Sequence, residues 1–191
     1  TNQHLSEIGV GSISQGIHVF CEKPPGRTLA DVLRMREAEN AHPGVKLQFG
    51  FNHRFHAAVQ EAKTIVESGR LGPVMWLRGI YGTAGGPRYD RSWRNRREIS
   101  GGGILIDQGI HMLDLFRQFC GDFEEVKSLI ARAYWPFEVE DNAFALLRNT
   151  RGQVAMLHSS STQWQHRFRL DIYLERGYLE ITGILSSTGT Y

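Results

Sequence analysis

The stretch Ile17-His18-Val19-Phe20-Cys21-Glu22-Lys23-Pro24-Pro25 decides how the opening of the chain is read. Ile17 to Cys21 is a short apolar run, which predicts a buried strand. Pro24 and Pro25 end it, because proline has no N–H to give to a ladder. Thr28-Leu29-Ala30-Asp31 comes next with the spacing of a capping box and opens a helix to about Asn40, with Leu29, Val32, Leu33 and Met35 apolar. His42-Pro43-Gly44 is a turn, and Val45 to Phe51 reads as the next strand. Strand, helix and strand joined by short turns make a right-handed parallel crossover.

Upstream, Leu5 to Gln15 is a short helix weakened by Gly9 and Gly11. Downstream the character changes near residue 51. Ala57 to Ser68 is an amphipathic helix with Ala58, Ala62 and Ile65 on one face, closed by Gly69 or Gly72. Pro73 to Tyr81 is a strand, 82–103 a loop rich in Gly and Arg, and Ile106 to Phe119 a helix closed by Gly121. Strand-like runs at 124–135, 142–148, 153–161, 167–175 and 178–182 are separated by short turns and so must run antiparallel. The predicted architecture is an α/β remnant over 1–51, followed over 52–191 by an α+β domain on a large, mostly antiparallel sheet.

The 191 residues are 41% hydrophobic and 22% charged, which excludes a disordered tail or a coiled coil. No window approaches a membrane span without a charge. Cys21 and Cys120 are too few for a disulfide scaffold and belong to no zinc-like cluster, so no metal site is expected and a reducing, cytoplasmic setting fits. The net charge of +2 gives no global case for nucleic acid. Of 22 basic residues only Lys23, Lys46, Lys63 and Lys127 are lysines. The chain opens at Thr1 with no Met and no leader-like segment, as an incomplete or processed chain would.

Four segments carry chemistry-bearing residues. Glu22-Lys23-Pro24 sits at the carboxyl end of a parallel strand, where open α/β sheets bind ligands; the alternative is a charged strand end in solvent. Gly101-Gly102-Gly103 leads into Asp107, His111 and Asp114, which share one face of a regular helix, while Ile106, Ile110, Leu113 and Phe116 form a separate apolar stripe. A carboxylate one turn from an imidazole can fix its tautomer; the alternative is a helix N-terminus with a satisfied histidine. Arg88, Arg91, Arg94, Arg96 and Arg97 interleave with Tyr89 and Trp93 against the single Asp90, which suits an anionic ligand or simply a solvated loop. Asn52-His53-Arg54-Phe55 lies at the domain junction, where Asn52 is a helix cap or else Asn52 or Arg54 reaches the interdomain cleft. Gly9-Val10-Gly11-Ser12-Ile13-Ser14 lacks the third glycine and the preceding strand of a phosphate-binding loop.

Together these residues resemble the Gfo/Idh/MocA oxidoreductases. Thr1-Asn2 with His4, Gly16 through Glu22-Lys23-Pro24, Gly50 through Phe55, Gly102-Gly103 through Asp107 and His111, and Glu140-Asp141-Asn142 followed by a strand each look like a segment of that family's pattern, across essentially the whole chain. The resemblance implies the C-terminal part of a Rossmann dinucleotide-binding domain followed by a substrate domain. It implies hydride transfer between NAD or NADP and a hydroxyl carbon of a sugar, cyclitol or sugar nucleotide. It assigns Lys23, Asp107 and His111 to catalysis, with Lys23 and His111 competing as acid/base. Asn2, Glu22, Lys23 and Pro24 fall to the cofactor, and Asn52, Arg54, Trp93 and Arg94 to the substrate, with the arginines hinting at an anionic one. It further implies a homo-oligomer formed through the sheet, and neither nucleic acid nor membrane as a partner.

Two parts of the pattern are missing: the glycine-rich first βαβ half, and the continuation past Gly189-Thr190-Tyr191. The chain alone is therefore expected to bind NAD poorly, because the pyrophosphate site depends on that first half. Two other classes compete: a non-catalytic sheet module mediating assembly, and a nucleic-acid binder using the 88–97 arginine loop.

Overall fold

A computed structural model describes residues 1–86 and 88–184. Gly189 to Tyr191 lie outside the described residues. Helix α1 (Leu5–Ser14), strand β1 (Val19–Cys21), helix α2 (Leu29–Ala41) and strand β2 (Leu47–Phe49) come first, with β1 and β2 parallel as the crossover requires. The capping box at α2 is formed: Asp31 N–H donates to Thr28 Oγ1 at 3.2 Å, and Thr28 N–H to Asp31 Oδ2 at 3.2 Å. Despite its glycines α1 is a regular helix, since Ile13 and the facing Met35 of α2 are wholly buried and packing outweighs propensity. Both strands are shorter than the apolar runs imply.

Helix α3 (Ala57–Glu67) leads into strand β3 (Val74–Gly82). His56, not Asn52, caps α3, accepting from Ala58 N–H. The buried positions of α3 are Val59 and Ala62, whereas Ala58 is exposed, so the apolar face is rotated from the one expected. Residues 83–104 are not a featureless loop. They hold tight turns at Tyr89–Arg91 and Trp93–Asn95 and a short helix α4 (Arg97–Ser100). A π-helical turn, Leu105–Gly109, then runs into helix α5 (Ile110–Cys120). Helix α5 packs on the sheet with one side and lines a cleft beside β2 with another, which divides its apolar residues. The face of α5 in the core is Met112, Leu115 and Phe116, while Ile110 and Leu113 turn toward β2 and line another cleft.

Strands β4 (Glu125–Ala131), β5 (Asn142–Arg148), β6 (Val154–Ser160), β7 (Arg167–Leu174) and β8 (Gly177–Thr182) complete a six-stranded sheet ordered β4-β5-β6-β3-β7-β8. Every neighbouring pair is antiparallel except β3 and β6. Strand β4 stops at Ala131, earlier than its sequence implies, because the Asp141 carboxylate captures the N–H groups of Ala133, Tyr134 and Trp135 at 2.8–3.0 Å.

One face of the sheet packs on α3 and α5 around Leu77, Tyr81, Leu157, Leu170 and Ile172. Gly79 of β3 lies under α5, where an added Cβ would come within 2.4 Å of Met112 and 2.8 Å of Phe116. Gly79→Ala is therefore expected to destabilise the protein by about 1–3 kcal/mol through overpacking. An unchanged midpoint in urea would refute this.

The other face is open. Trp76 stacks on Tyr173 at 3.9 Å and Phe144 on His158 at 4.2 Å, and Leu129, Leu146 and Met156 are exposed around an apolar groove of about 570 Å³. Asp171 on this face is fully buried between Arg78 at 2.8 Å and Arg169 at 2.9 Å. Among the described residues no helix is long and apolar enough to cross a membrane.

Candidate active site

The carboxyl end of β1 delivers Glu22 and Lys23 to a cleft of about 460 Å³. Gly50, Asn52 and His53 enter it after β2; Tyr81 and Thr83 come from the end of β3; Asp107, Gln108 and His111 come from the start of the helix opposite. Tyr89, Ser92 and Arg94 close it from the arginine-rich segment. Residues eighty-odd positions apart thus meet because β1 points at the N-terminal end of α5.

Lys23 Nζ donates to the Asp107 carbonyl at 2.5 Å and to its Oδ1 at 3.3 Å. An ammonium has three donors, so one is left for a ligand. Asp107 Oδ1 also accepts from Arg94 Nε at 3.1 Å, and the Arg94 guanidinium lies 4.6 Å over the Trp93 ring. Asp107 therefore bridges two cations and does not orient His111, contrary to the regular-helix reading. Both side chains open into the same cleft, but Lys23 and Arg94 take the carboxylate.

His111 stacks on His53 at 4.0 Å, and both rings are nearly buried. His53 Nδ1–H donates to Asn52 Oδ1 at 2.9 Å, which leaves Nε2 as the bare nitrogen. His53 Nε2, His111 Nδ1 and Gln108 Oε1 are buried without a hydrogen-bond partner, an unusual cost unless a ligand answers it. Burial, the neighbouring His53 and Lys23 hold the His111 imidazolium down to about 2. Burial, Lys23, His56 and His166 hold that of His53 down to about 4. Burial pushes the Tyr89 phenol up to about 12. The cleft thus offers neutral imidazoles beside a lysine.

These shifts give stability a pH dependence of definite sign. Above the ordinary histidine value of 6.5 both rings are neutral whether folded or not, and they add no slope. Below it the unfolded chain binds protons that the folded rings refuse, so stability falls as pH drops toward about 4. Each ring contributes up to ~1.4 kcal/mol per pH unit in that window. Urea denaturation of the full-length protein at falling pH is expected to show this, and His53→Phe should flatten it; an equally steep variant would refute the assignment.

Other expected site residues sit elsewhere. Arg54 makes a bidentate pair with Asp114 at 2.5 and 2.6 Å and lines a separate cleft with Phe49 and Phe55, so neither it nor Asp114 faces Lys23. Trp93 supports Arg94 from outside the cleft lining. Asn2 is buried, its amide donating to the Ser100 carbonyl at 2.9 Å, and Pro24 is buried behind a cis Lys23–Pro24 bond. Neither lines the cleft. His53 and Gln108 join the site without having been expected there. His53 belongs to the junction segment, but only the fold stacks it on His111. Gln108 has no signal in the sequence beyond its place next to Asp107.

The arginine segment is also less basic than its count implies. Arg91 pairs with Asp90, Arg94 with Asp107 and Arg96 with Glu98, while Arg97 donates to the Glu138 carbonyl.

Comparison with known proteins bears on these features. Levoglucosan dehydrogenase of Pseudarthrobacter phenanthrenivorans is 33% identical over 134 residues, 69% of this chain and 34% of that protein. Myo-inositol 2-dehydrogenase of Thermotoga maritima is 31% identical over 98% of this chain and 56% of that protein. The chain thus spans roughly a third to a little over half of these relatives. A solved levoglucosan dehydrogenase in complex with NADH superposes with a TM-score of 0.88 at 26% identity, covering 95% of this chain and 52% of that one. The WlbA dehydrogenase of Bordetella pertussis in complex with NADH and UDP-GlcNAcA does so at 0.86 and 26%, over 96% and 57%. The GFO/IDH/MocA C-terminal domain matches residues 59–180, and the chain belongs to the GFO/IDH/MocA family.

Proposed function

We propose that this chain is the substrate-handling part of an NAD- or NADP-dependent dehydrogenase acting on a hydroxyl carbon of a sugar or cyclitol. The observation that carries it is Lys23, held against Asp107 in one cleft with the neutral His111. The nicotinamide fits this cleft: Glu22 and Lys23 lie at the carboxyl end of a parallel strand, and three buried polar atoms in the wall lack partners. Glu22 and Lys23 would hold it, and when bound it supplies the hydride acceptor. His111, neutral at any ordinary pH, takes the hydroxyl proton. The uncommitted Lys23 N–H donates to the substrate oxygen as negative charge grows there. Asp107 and Arg94 fix the lysine, and Gln108 and Asn52 contact neighbouring hydroxyls.

The internal pairing of the arginines favours a neutral polyol over a sugar nucleotide and speaks against nucleic acid. Residues 1–51 are proposed as part of the dinucleotide-binding domain and 52–191 as the substrate domain. The open apolar sheet face is proposed to be covered by a second copy, and the two free buried cysteines suit a reducing cytoplasm. The test is a hydride-transfer screen of the full-length protein with NAD and NADP against neutral sugars, inositols and sugar nucleotides. Turnover of a neutral polyol is expected. Turnover of sugar nucleotides alone would overturn the substrate class, and none at all would overturn the function. Sedimentation of a monomer would overturn the proposed pairing of sheets.

A further inference from the structure

The helix that carries Asp107 and His111 begins with N–H groups that have no partner within it, as every helix does. Here one residue takes three of them. The Glu140 carboxylate accepts from Gly103 N–H at 3.0 Å to each oxygen and from Leu105 N–H at 3.2 Å. The Glu140 carbonyl accepts from Ile104 N–H at 3.1 Å. Glu140 is 9% exposed and sits two residues before β5, so the clamp is anchored to the sheet. Its carboxylate has no cationic partner among the ion pairs of the described residues, and the helix N-terminus itself favours the negative charge. Gly103 is obligatory in this arrangement, because a Cβ there would lie 2.0 Å from the Glu140 carbonyl oxygen. Ser159 Oγ holds the same turn from the other side, donating to the Ile104 carbonyl at 3.2 Å.

The clamp lies just before the Lys23 contact. Asp107 N–H donates to the Gly103 carbonyl at 3.1 Å, so the turn Glu140 fixes is the one that presents both Asp107 oxygens to Lys23. Glu140 itself is absent from the cleft lining. We infer that Glu140 is a positioning residue for hydride transfer, acting through Gly103–Leu105 on the Lys23–Asp107 pair. This rests on the dehydrogenase function proposed for the cleft.

The experiment uses the full-length enzyme and Glu140→Gln, which keeps the shape but turns an NH2 toward the N–H donors. A misplacement of about 1 Å costs on the order of 10²-fold in rate. E140Q is expected to lower kcat by ~10–100-fold with KM for the polyol within about threefold. In a Lys23→Met background E140Q is expected to add less than about threefold, because both changes act on one constellation. Additive effects, or an undiminished kcat, would overturn the inference. Should E140Q not fold, Ser159→Ala loosens the same turn without touching the buried carboxylate. About a tenfold fall in kcat is expected there, and full rate would overturn the inference. Amide exchange separates failure of the clamp from failure of the enzyme reading. Protection of 103–105 should drop in E140Q even if no substrate is ever turned over, and unchanged protection refutes the clamp itself.

Discussion

Lys23→Met is expected to lower kcat of the full-length enzyme by ~10²–10⁴-fold, the range that loss of a positioned proton donor brings. Methionine nearly matches the length of the lysine stem, so the loss is of charge and donors more than of volume. Two of the three donors bind Asp107, and the third is what the substrate oxygen would meet. Removing it withdraws the cation from the point where an alkoxide must form, while polyol binding, spread over neutral groups such as Asn52 and Gln108, suffers less. KM should therefore move by much less than kcat, the pattern of an interaction realised in the transition state. The change also removes one of the causes that depress His111, whose imidazole should titrate higher in the variant. Steady-state kinetics with an NMR titration of His111 would check both. A kcat within threefold of wild type would remove Lys23 from the mechanism.

His111→Asn is expected to cost a similar ~10²–10⁴-fold in kcat, for the complementary reason. Burial and two basic neighbours keep this ring unprotonated, which leaves its lone pair open but makes it a weak base, so the proton moves to it only as hydride leaves the same carbon. Asparagine preserves polarity but offers no nitrogen lone pair for that proton. The stacked His53 keeps its Nδ1–H on Asn52 and has a bare Nε2 of its own, so the measurement is repeated in a His53→Phe background. A variant retaining more than a tenth of wild-type kcat, at unchanged thermal stability, would transfer the base role to Lys23.

How much of this is legible in the sequence depends on which forces are local. The crossover at β1–α2–β2, the Thr28–Asp31 cap and the antiparallel order of later strands are set by residues near one another, and the sequence shows them directly. The meeting of Lys23 with Asp107 is reachable only through family resemblance, since no periodicity links residues so far apart. Three details are beyond any spacing argument. The Asp141 carboxylate ends β4 from a distance, Asp114 claims Arg54, and Lys23 with Arg94 takes the Asp107 carboxylate that one-turn spacing offers to His111. Each overrides a local rule, and two of the three involve a buried carboxylate collecting donors. The loop arginines mislead for the same reason: charge counts do not reveal partners, and Arg94 meets Asp107 only after folding.

The turn at Leu105–Gly109 bears on how this helix tolerates change. A π-turn is in effect a single inserted residue, absorbed as a bulge with the helix on either side continuing. Excising one residue between 105 and 109 would let the segment relax to an unbroken α-helix while the helix on either side keeps its phase, so Met112 and Phe116 stay in the core. What would be lost is the widened turn itself, on which Asp107 and Gln108 enter the cleft. Point substitutions test individual atoms. A one-residue deletion here would instead remove the widened turn as a unit, so that a folded protein with an altered reactive rim is encoded a single codon away.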